Sequence, residues 1–283
     1  MSLSEKVYDG ALKGWGALAG RPFFRRGNTF LMNLGLRGLG VGNSSDLSGE
    51  AGILELLAPR WRRAGRDAVL IDVGANEGNY ADELLRLCPD ARIFAFEPHP
   101  STAGRLEARV GDRLEVISTG VGESPGKATL WDHAGRSGSS HASLVPGLIE
   151  RMYAGSSEGF EVELTSLDAF CEDRGIFRID LLKLDVEGHE VCCLRGARRL
   201  LEAGGIRLIQ FEFNILHVAS RTFFDDFAVL LPGFRFYRIL PHGCLELRLD
   251  RVFRCHLYDV QNILAVSPKV YAEEPGLWRW PPA

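Results

Sequence analysis

The chain has 283 residues, of which 46% are apolar and 25% charged, with a formal net charge of -4. That balance allows a real buried core and gives no reason to expect nucleic acid or an anionic membrane as partner. No apolar run reaches the roughly 18 residues of a transmembrane helix, and the N-terminus lacks a charged, apolar, small-residue signal, so a cytoplasmic protein is expected. The cysteines Cys88, Cys171, Cys192, Cys193, Cys244 and Cys255 show neither CxxC nor metal-ligand spacing with histidine. They read as reduced, mostly buried thiols.

Residues 1–48 read as a helical extension of their own. Tyr8, Leu12, Trp15 and Leu18 fall on one helical face, followed by Gly20-Arg-Pro-Phe-Phe-Arg-Arg26 and a Gly/Ser-rich connection over 38–49. A single short helix cannot bury such a stripe. The extension is therefore expected to pack on the main domain or across a homo-oligomer interface, with Arg25 and Arg26 as solvated surface.

From Val69 onward strands and helices alternate. Strands are predicted over 69–73, 92–96, 114–118, 180–184, 206–213, 234–240 and 260–266. Helices are predicted over 79–88, 102–110, 165–173, 189–201 and 223–231. Segments 127–131 and 160–164 look like antiparallel additions flanking a Gly/Ser-rich loop, 135–143. The pattern predicts an α/β domain over 49–268, Rossmann-like, with a mostly parallel sheet and helices on both faces, then a tail over 269–283. Such sheets bind ligands at the C-terminal ends of their strands, where strand order reverses.

Three motifs fall at strand ends. In Ile71-Asp-Val-Gly-Ala-Asn-Glu-Gly-Asn79, Gly74 and Gly78 lie between a strand and a helix, where a glycine turn lets a ligand approach the backbone. Glu97 ends the next strand, placed to take both hydroxyls of a ribose; the bland reading is a tight turn with a capping carboxylate. In Leu182-Lys-Leu-Asp-Val-Glu-Gly-His-Glu190, Lys183 and Asp185 share one strand face and need neutralising partners. Asp185 and Glu187 could equally cap the following helix. Glu212 and Asn214 alternate onto one face of the next strand, beside Asp185 if the two strands are neighbours. They suit a substrate hydroxyl or a cation, or else form a hydrogen-bonded edge with no chemical role.

As an ordered set, Asp72-Val-Gly-Ala-Asn-Glu-Gly78, Phe96-Glu-Pro98, Leu182-Lys-Leu-Asp-Val-Glu-Gly188 with Glu190, and Glu212 resemble the FkbM family of methyltransferases. The resemblance runs from about Gly49 to Val266. It implies a class I methyltransferase sheet, S-adenosylmethionine as donor, and an oxygen acceptor on a sugar or secondary metabolite. It also implies Asp72, Gly74, Asn76 and Gly78 around the methionine end, Glu97 on the ribose, and Asp185, Glu187 and His189 near the transferred methyl. Family members often carry an aromatic residue at the position of His189.

Methyl transfer to oxygen requires the acceptor to be positioned and its proton removed. Asp185 is the expected base and His189 the second candidate, with Glu212 and Asn214 orienting the hydroxyl. A divalent cation on Asp185 and Glu212 is a chemical variant, disfavoured by the positive charge of Lys183 on the same face, so no metal ligand is assigned. The rival readings are a nicotinamide-dependent oxidoreductase, against which stand the missing GxGxxG and Tyr-x-x-x-Lys, and a nucleoside-binding module without catalysis.

Overall fold

Alternating apolar residues set the two faces of the sheet, and the faces decide which polar side chains are trapped between layers. The computed structural model describes residues 3–42, 48–135, 138–153, 155–249 and 256–275. Cys255, part of the 38–49 connection, part of the 135–143 loop and most of the 269–283 tail lie outside the described residues.

In chain order, α1 (Leu3–Ala19) and α2 (Arg25–Gly38) form an N-terminal arm, and α3 (Glu50–Ala64) opens the domain. There follow β1 (Val69–Val73), α4 (Asn79–Leu87), β2 (Arg92–Phe96), α5 (Pro100–Val110) and β3 (Glu115–Ile117). The chain then makes β4 (Gly120–Val121), β5 (Gly126–His133), α6 (Leu148–Tyr153), β6 (Ser157–Thr165) and α7 (Leu167–Asp173). It returns through β7 (Leu181–Leu184), α8 (Glu190–Arg195), α9 (Arg198–Glu202), β8 (Leu208–Phe213), α10 (Leu216–Ser220) and α11 (Phe224–Leu230). It closes with β9 (Arg235–Leu240), β10 (Gly243–Leu247), β11 (Gln261–Val266) and α12 (Pro268–Glu273).

The main sheet has the order β10-β9-β11-β8-β7-β1-β2-β3, and a smaller one has β4-β6-β5. Strands β3, β2, β1, β7 and β8 run parallel, whereas β11 is antiparallel to both β8 and β9. From β1 the order runs outward through β2 and β3 on one side and through β7 and β8 on the other. The reversal therefore lies between β1 and β7, and the expected ligand crevice lies outside their C-terminal ends. One face buries Val69, Ile71, Leu182, Leu184 and Phe211 under α7, α8 and α11. The other buries Leu70, Ile93, Leu181, Leu208 and Leu264 under α3, α4 and α5.

The predicted α/β architecture and the antiparallel pair flanking the Gly/Ser loop are present. Besides the short elements β4, α6, α10 and α12, which the sequence pattern does not predict, three elements differ. Helix α3 was not anticipated, although Ile53, Leu54, Leu57, Ala58 and Trp61 form its buried stripe; Pro59 and the arginines after it interrupt the pattern. The helix predicted over 189–201 breaks into α8 and α9 at Gly196 and Ala197, where the glycine packs directly on the Gly122 backbone and its carbonyl accepts from the Asp168 N–H at 2.8 Å. Strand β10, a hairpin partner of β9, is not among the predicted strands.

Of the two expectations for the arm, packing on the main domain is not what the single chain shows. Neither core includes a side chain from α1 or α2, and Tyr8, Leu12, Trp15 and Leu18 are exposed. Near its root the arm meets the domain. There the Gly42 N–H donates to the Val260 carbonyl at 2.7 Å, and Arg238 donates to the Leu39 carbonyl at 3.3 Å. Among the described residues no helix is long and apolar enough to cross a membrane.

Candidate active site

The chain leaves β1 through Gly74 at φ 83°. A Cβ there would lie 1.9 Å from the carbonyl oxygen of Asp185, so glycine is what allows the ends of β1 and β7 to close on each other. Asn76 follows at φ 48°, and its N–H donates to Glu97 Oε2 at 2.9 Å. The His99 N–H donates to Glu97 Oε1 at 2.8 Å. Each carboxylate oxygen keeps a lone pair for a ligand. Burial pushes the Glu97 carboxyl up to about 7 despite these two donors.

Val73, Phe96, Glu97, Thr119 and Leu130 line a slot that continues to Asp185 and Glu187. Thr119 Oγ1 is buried in it without a partner. The free space is about 60 Å³, well below the hundreds of cubic ångströms a small-molecule site usually offers. The reason is that Ser139, Ser140, Ala142 and Leu144 form its outer wall. Asp132 anchors that wall, accepting from the N–H groups of Gly138 and Ser139 at 2.8 and 3.0 Å and from the Ser139 hydroxyl. Burial raises the Asp132 carboxyl, but these hydrogen bonds outweigh it and hold it below the ordinary range.

A second, open cleft of about 600 Å³ adjoins the slot, lined by Glu50, Tyr80, Glu83, Lys183 and Asp185. Gly74, Asn76, Ser140 and Asp185 belong to both clefts. Lys183 organises the floor. Its ammonium lies 3.0 Å from Asp185 Oδ2, 3.6 Å from Asp72 Oδ1 and 4.6 Å from the Tyr80 ring centroid. Burial opposes the charge, yet Asp185, Asp72 and Glu50 hold the ammonium well above its usual range. Asp72 is fully buried and its carboxyl is raised by that burial; its two oxygens have no hydrogen-bond partner. The network continues from the Tyr80 hydroxyl to Gln210 at 2.8 Å and from Gln210 to Glu50 at 2.6 Å.

The pairing of Lys183 with Gln210 across β7 and β8 confirms that these strands are neighbours and brings Glu212 toward Asp185. Burial, and then the charges of Asp185 and Glu187, push the Glu212 carboxyl well above its usual range. Burial likewise lifts Glu187 to about 7, opposed by His141 at 3.4 Å. His141 in turn stacks on Tyr153 with centroids 4.6 Å apart. Asn214 is committed locally, donating to Glu212 and accepting from the Leu216 N–H at 2.8 Å.

Of the residues singled out from sequence, Gly74, Asn76, Glu97 and Asp185 line the clefts. Asp72 stands behind them against Lys183, and Gly78 lines neither cleft. A Cβ on Gly78 would lie 2.4 Å from Leu106, so that glycine seats α4 on α5. His189 also lines neither cleft. Its Nε2 is buried without a partner, on the side of Gly122, and burial lowers its basicity. Glu190, by contrast, holds the loop, accepting from the N–H groups of Val186 and Gly188 and lying 3.0 Å from His217 Nε2. Glu50, Tyr80, His141, Tyr153 and Gln210 were not anticipated. Among the described residues no cluster of three or more histidine, cysteine or acidic side chains is placed to hold a metal ion.

Residues 72–236 match the model of the methyltransferase FkbM domain. Among curated relatives, the chain is 28% identical over 195 residues to the 2-O-methyltransferase NoeI of Sinorhizobium fredii, covering 62% of this chain and 76% of that protein. It is 30% identical over 174 residues to the hexuronic acid methyltransferase AglP of Haloferax volcanii, covering 60% of this chain and 65% of that protein. A solved TehB-like SAM-dependent methyltransferase from Corynebacterium glutamicum is 14% identical with a TM-score of 0.39, covering 85% of this chain and 96% of that one.

Proposed function

The chain belongs to the FkbM methyltransferase family, and we propose that it moves a methyl group from S-adenosylmethionine to a hydroxyl of a saccharide or secondary metabolite. The observation that carries this reading is the position of Asp185, which lines both the narrow slot beside Glu97 and the open cleft beyond it. The donor supplies an electrophilic methyl on a sulfonium, already bearing its leaving group. What remains for the protein is binding, orientation and proton removal.

The donor set fits such a group. Glu97 offers acceptors for ribose hydroxyls, Thr119 Oγ1 awaits a partner, and the Gly74–Gly78 turn brings the backbone close. Filling the slot requires the 138–144 wall to move outward, since the free space is about 60 Å³. Asp185 takes the acceptor proton, while Lys183, 3.0 Å away, fixes its carboxylate and supplies the positive charge a divalent cation would otherwise bring. Glu212, Glu187, His141 and Tyr153 orient the acceptor. The similarity to a 2-O-methyltransferase and a hexuronic acid methyltransferase supports an oxygen on a sugar. The family assignment is preferred to the nicotinamide-dependent alternative. A cytoplasmic location is part of the same reading, supported by free thiols at Cys88, Cys171, Cys192, Cys193 and Cys244.

Turnover of Asp185→Asn with and without chelator tests the reading. Asp185 as sole base gives a loss of roughly 10²–10⁴-fold, with wild type indifferent to chelation. Full activity in Asp185→Asn returns the residue to a structural role, and reversible loss of wild-type activity on chelation replaces the lysine-assisted version with a metal-assisted one.

A further inference from the structure

The net charge of -4 conceals an uneven distribution. Residues 3–42 carry Lys6, Lys13, Arg21, Arg25, Arg26 and Arg37 against Glu5 and Asp9, a net of +4, which leaves 27 basic and 35 acidic side chains elsewhere, a net of -8. On α1, Val7, Tyr8, Ala11, Leu12, Trp15 and Leu18 recur at three- and four-residue spacing along one face, and Lys6, Asp9 and Lys13 occupy the other. The large members of that stripe are all exposed, Trp15 at 51%. The exposure continues through Phe23 at 89% and along α2 through Phe30, Leu31, Met32 and Leu34. Arg21, Arg25 and Arg26, at the turn between the helices, are exposed beside these aromatic rings.

We propose that this arm docks the enzyme on an anionic lipid surface, with the apolar stripe entering the headgroup–acyl boundary and the arginines pairing with lipid phosphates. An amphipathic helix with tryptophan, tyrosine and leucine on one side and basic residues beside them is suited to that boundary. A second copy of the chain fits less well. Arm against arm sets +4 against +4. Among the described residues the acidic domain exposes few large apolar side chains, including Phe177, Val229 and Leu245 on separate elements and Ile215, Val218 and Phe223 around the short helix α10, fewer than the arm presents along two helices. A protein surface would have to meet both helices at once, whereas a bilayer supplies apolar depth and negative charge over any area. The glycines Gly10, Gly14, Gly16, Gly27 and Gly35 weaken both helices in water, each by about 1 kcal/mol relative to alanine, so the arm gains most from a surface that favours internal backbone hydrogen bonds. Its root at Gly40–Gly42 packs against Leu240 and Val260, at the end of the sheet that carries the clefts.

Sedimentation of the full chain with phosphatidylcholine vesicles, either pure or containing about one-third phosphatidylglycerol, tests the proposal. The expected result is co-sedimentation with the anionic vesicles alone, weakened by salt. Arg25→Gln and Arg26→Gln should each lower vesicle affinity about 5-fold, and Leu12→Glu with Trp15→Glu should abolish binding while S-adenosylhomocysteine still binds the domain. Equal pelleting of these variants and wild type overturns the proposal. So does a full chain that ignores anionic vesicles and instead forms an oligomer, by light scattering, which Leu12→Glu with Trp15→Glu dissociates; the second copy would then be the occupant.

Discussion

Glu97 holds the fold and, in the proposed function, the ligand. It ties the Gly74–Gly78 turn to the exit of β2 through two backbone N–H groups, and burial lifts its carboxyl to about 7. A carboxyl raised above its unfolded value contributes stability that is complete below the unfolded pKa and lost as pH rises through the folded one. Apo stability should therefore fall as pH rises from about 4.5 to about 7, while affinity for S-adenosylhomocysteine rises through about pH 7 as the carboxylate becomes free to accept both ribose hydroxyls. Glu97→Gln should weaken binding by about 1.5–3 kcal/mol and flatten both trends, as read by calorimetry and thermal melts across that range. Glu97 was legible in the sequence because it ends the strand after a glycine turn. The partners of Lys183 were not. Glu50, Tyr80 and Gln210 come from α3, α4 and β8, and no local spacing links them; only the packed faces of the sheet do. His189 illustrates the opposite case, since its place in the motif says nothing of its ring turning toward Gly122.

At the level of elements, the site depends on two loops held by buried polar anchors. The loop after β7 is fixed by Glu190, whose carboxyl is raised by burial but drawn below its ordinary range by His217 and the backbone donors. His217→Ala leaves that carboxylate buried without its partner. It should cost about 1–3 kcal/mol in urea unfolding, with a smaller cost in Glu190→Gln/His217→Ala than the two single changes imply together. The loop closing the slot is fixed by Asp132. Asp132→Asn sets an amide nitrogen among those donors, and should speed association of S-adenosylhomocysteine in stopped-flow measurements and expose the loop to protease. An unchanged association rate would show that this wall does not gate the slot. The parallel strands between 69 and 213 were readable because buried parallel strands are short apolar runs, whereas β10, half exposed at the sheet edge, was not. Helix α3 escaped because Pro59 and the arginines around it break its pattern, and the split between α8 and α9 escaped because the Gly122 backbone, on which Gly196 packs, lies far away in sequence.

For the whole molecule, the helical character of residues 3–38 follows from their sequence, but the arm's place does not. An apolar stripe says that something covers it, and not what. Because α1 and α2 add no side chain to either core, removing residues 1–38 should leave domain stability within about 0.5 kcal/mol in a thermal melt, and a larger loss would show that the arm packs on the domain in solution. The central claim is that the strand-end slot beside Glu97 and Asp185 is an S-adenosylmethionine site. Calorimetric titration of S-adenosylhomocysteine and of NADH into wild type and Glu97→Gln tests it most directly. The expected result is one S-adenosylhomocysteine per chain in wild type, weaker binding in Glu97→Gln, and no heat from NADH. Binding of NADH at this slot, or S-adenosylhomocysteine affinity unchanged in a folded Glu97→Gln protein, would contradict it.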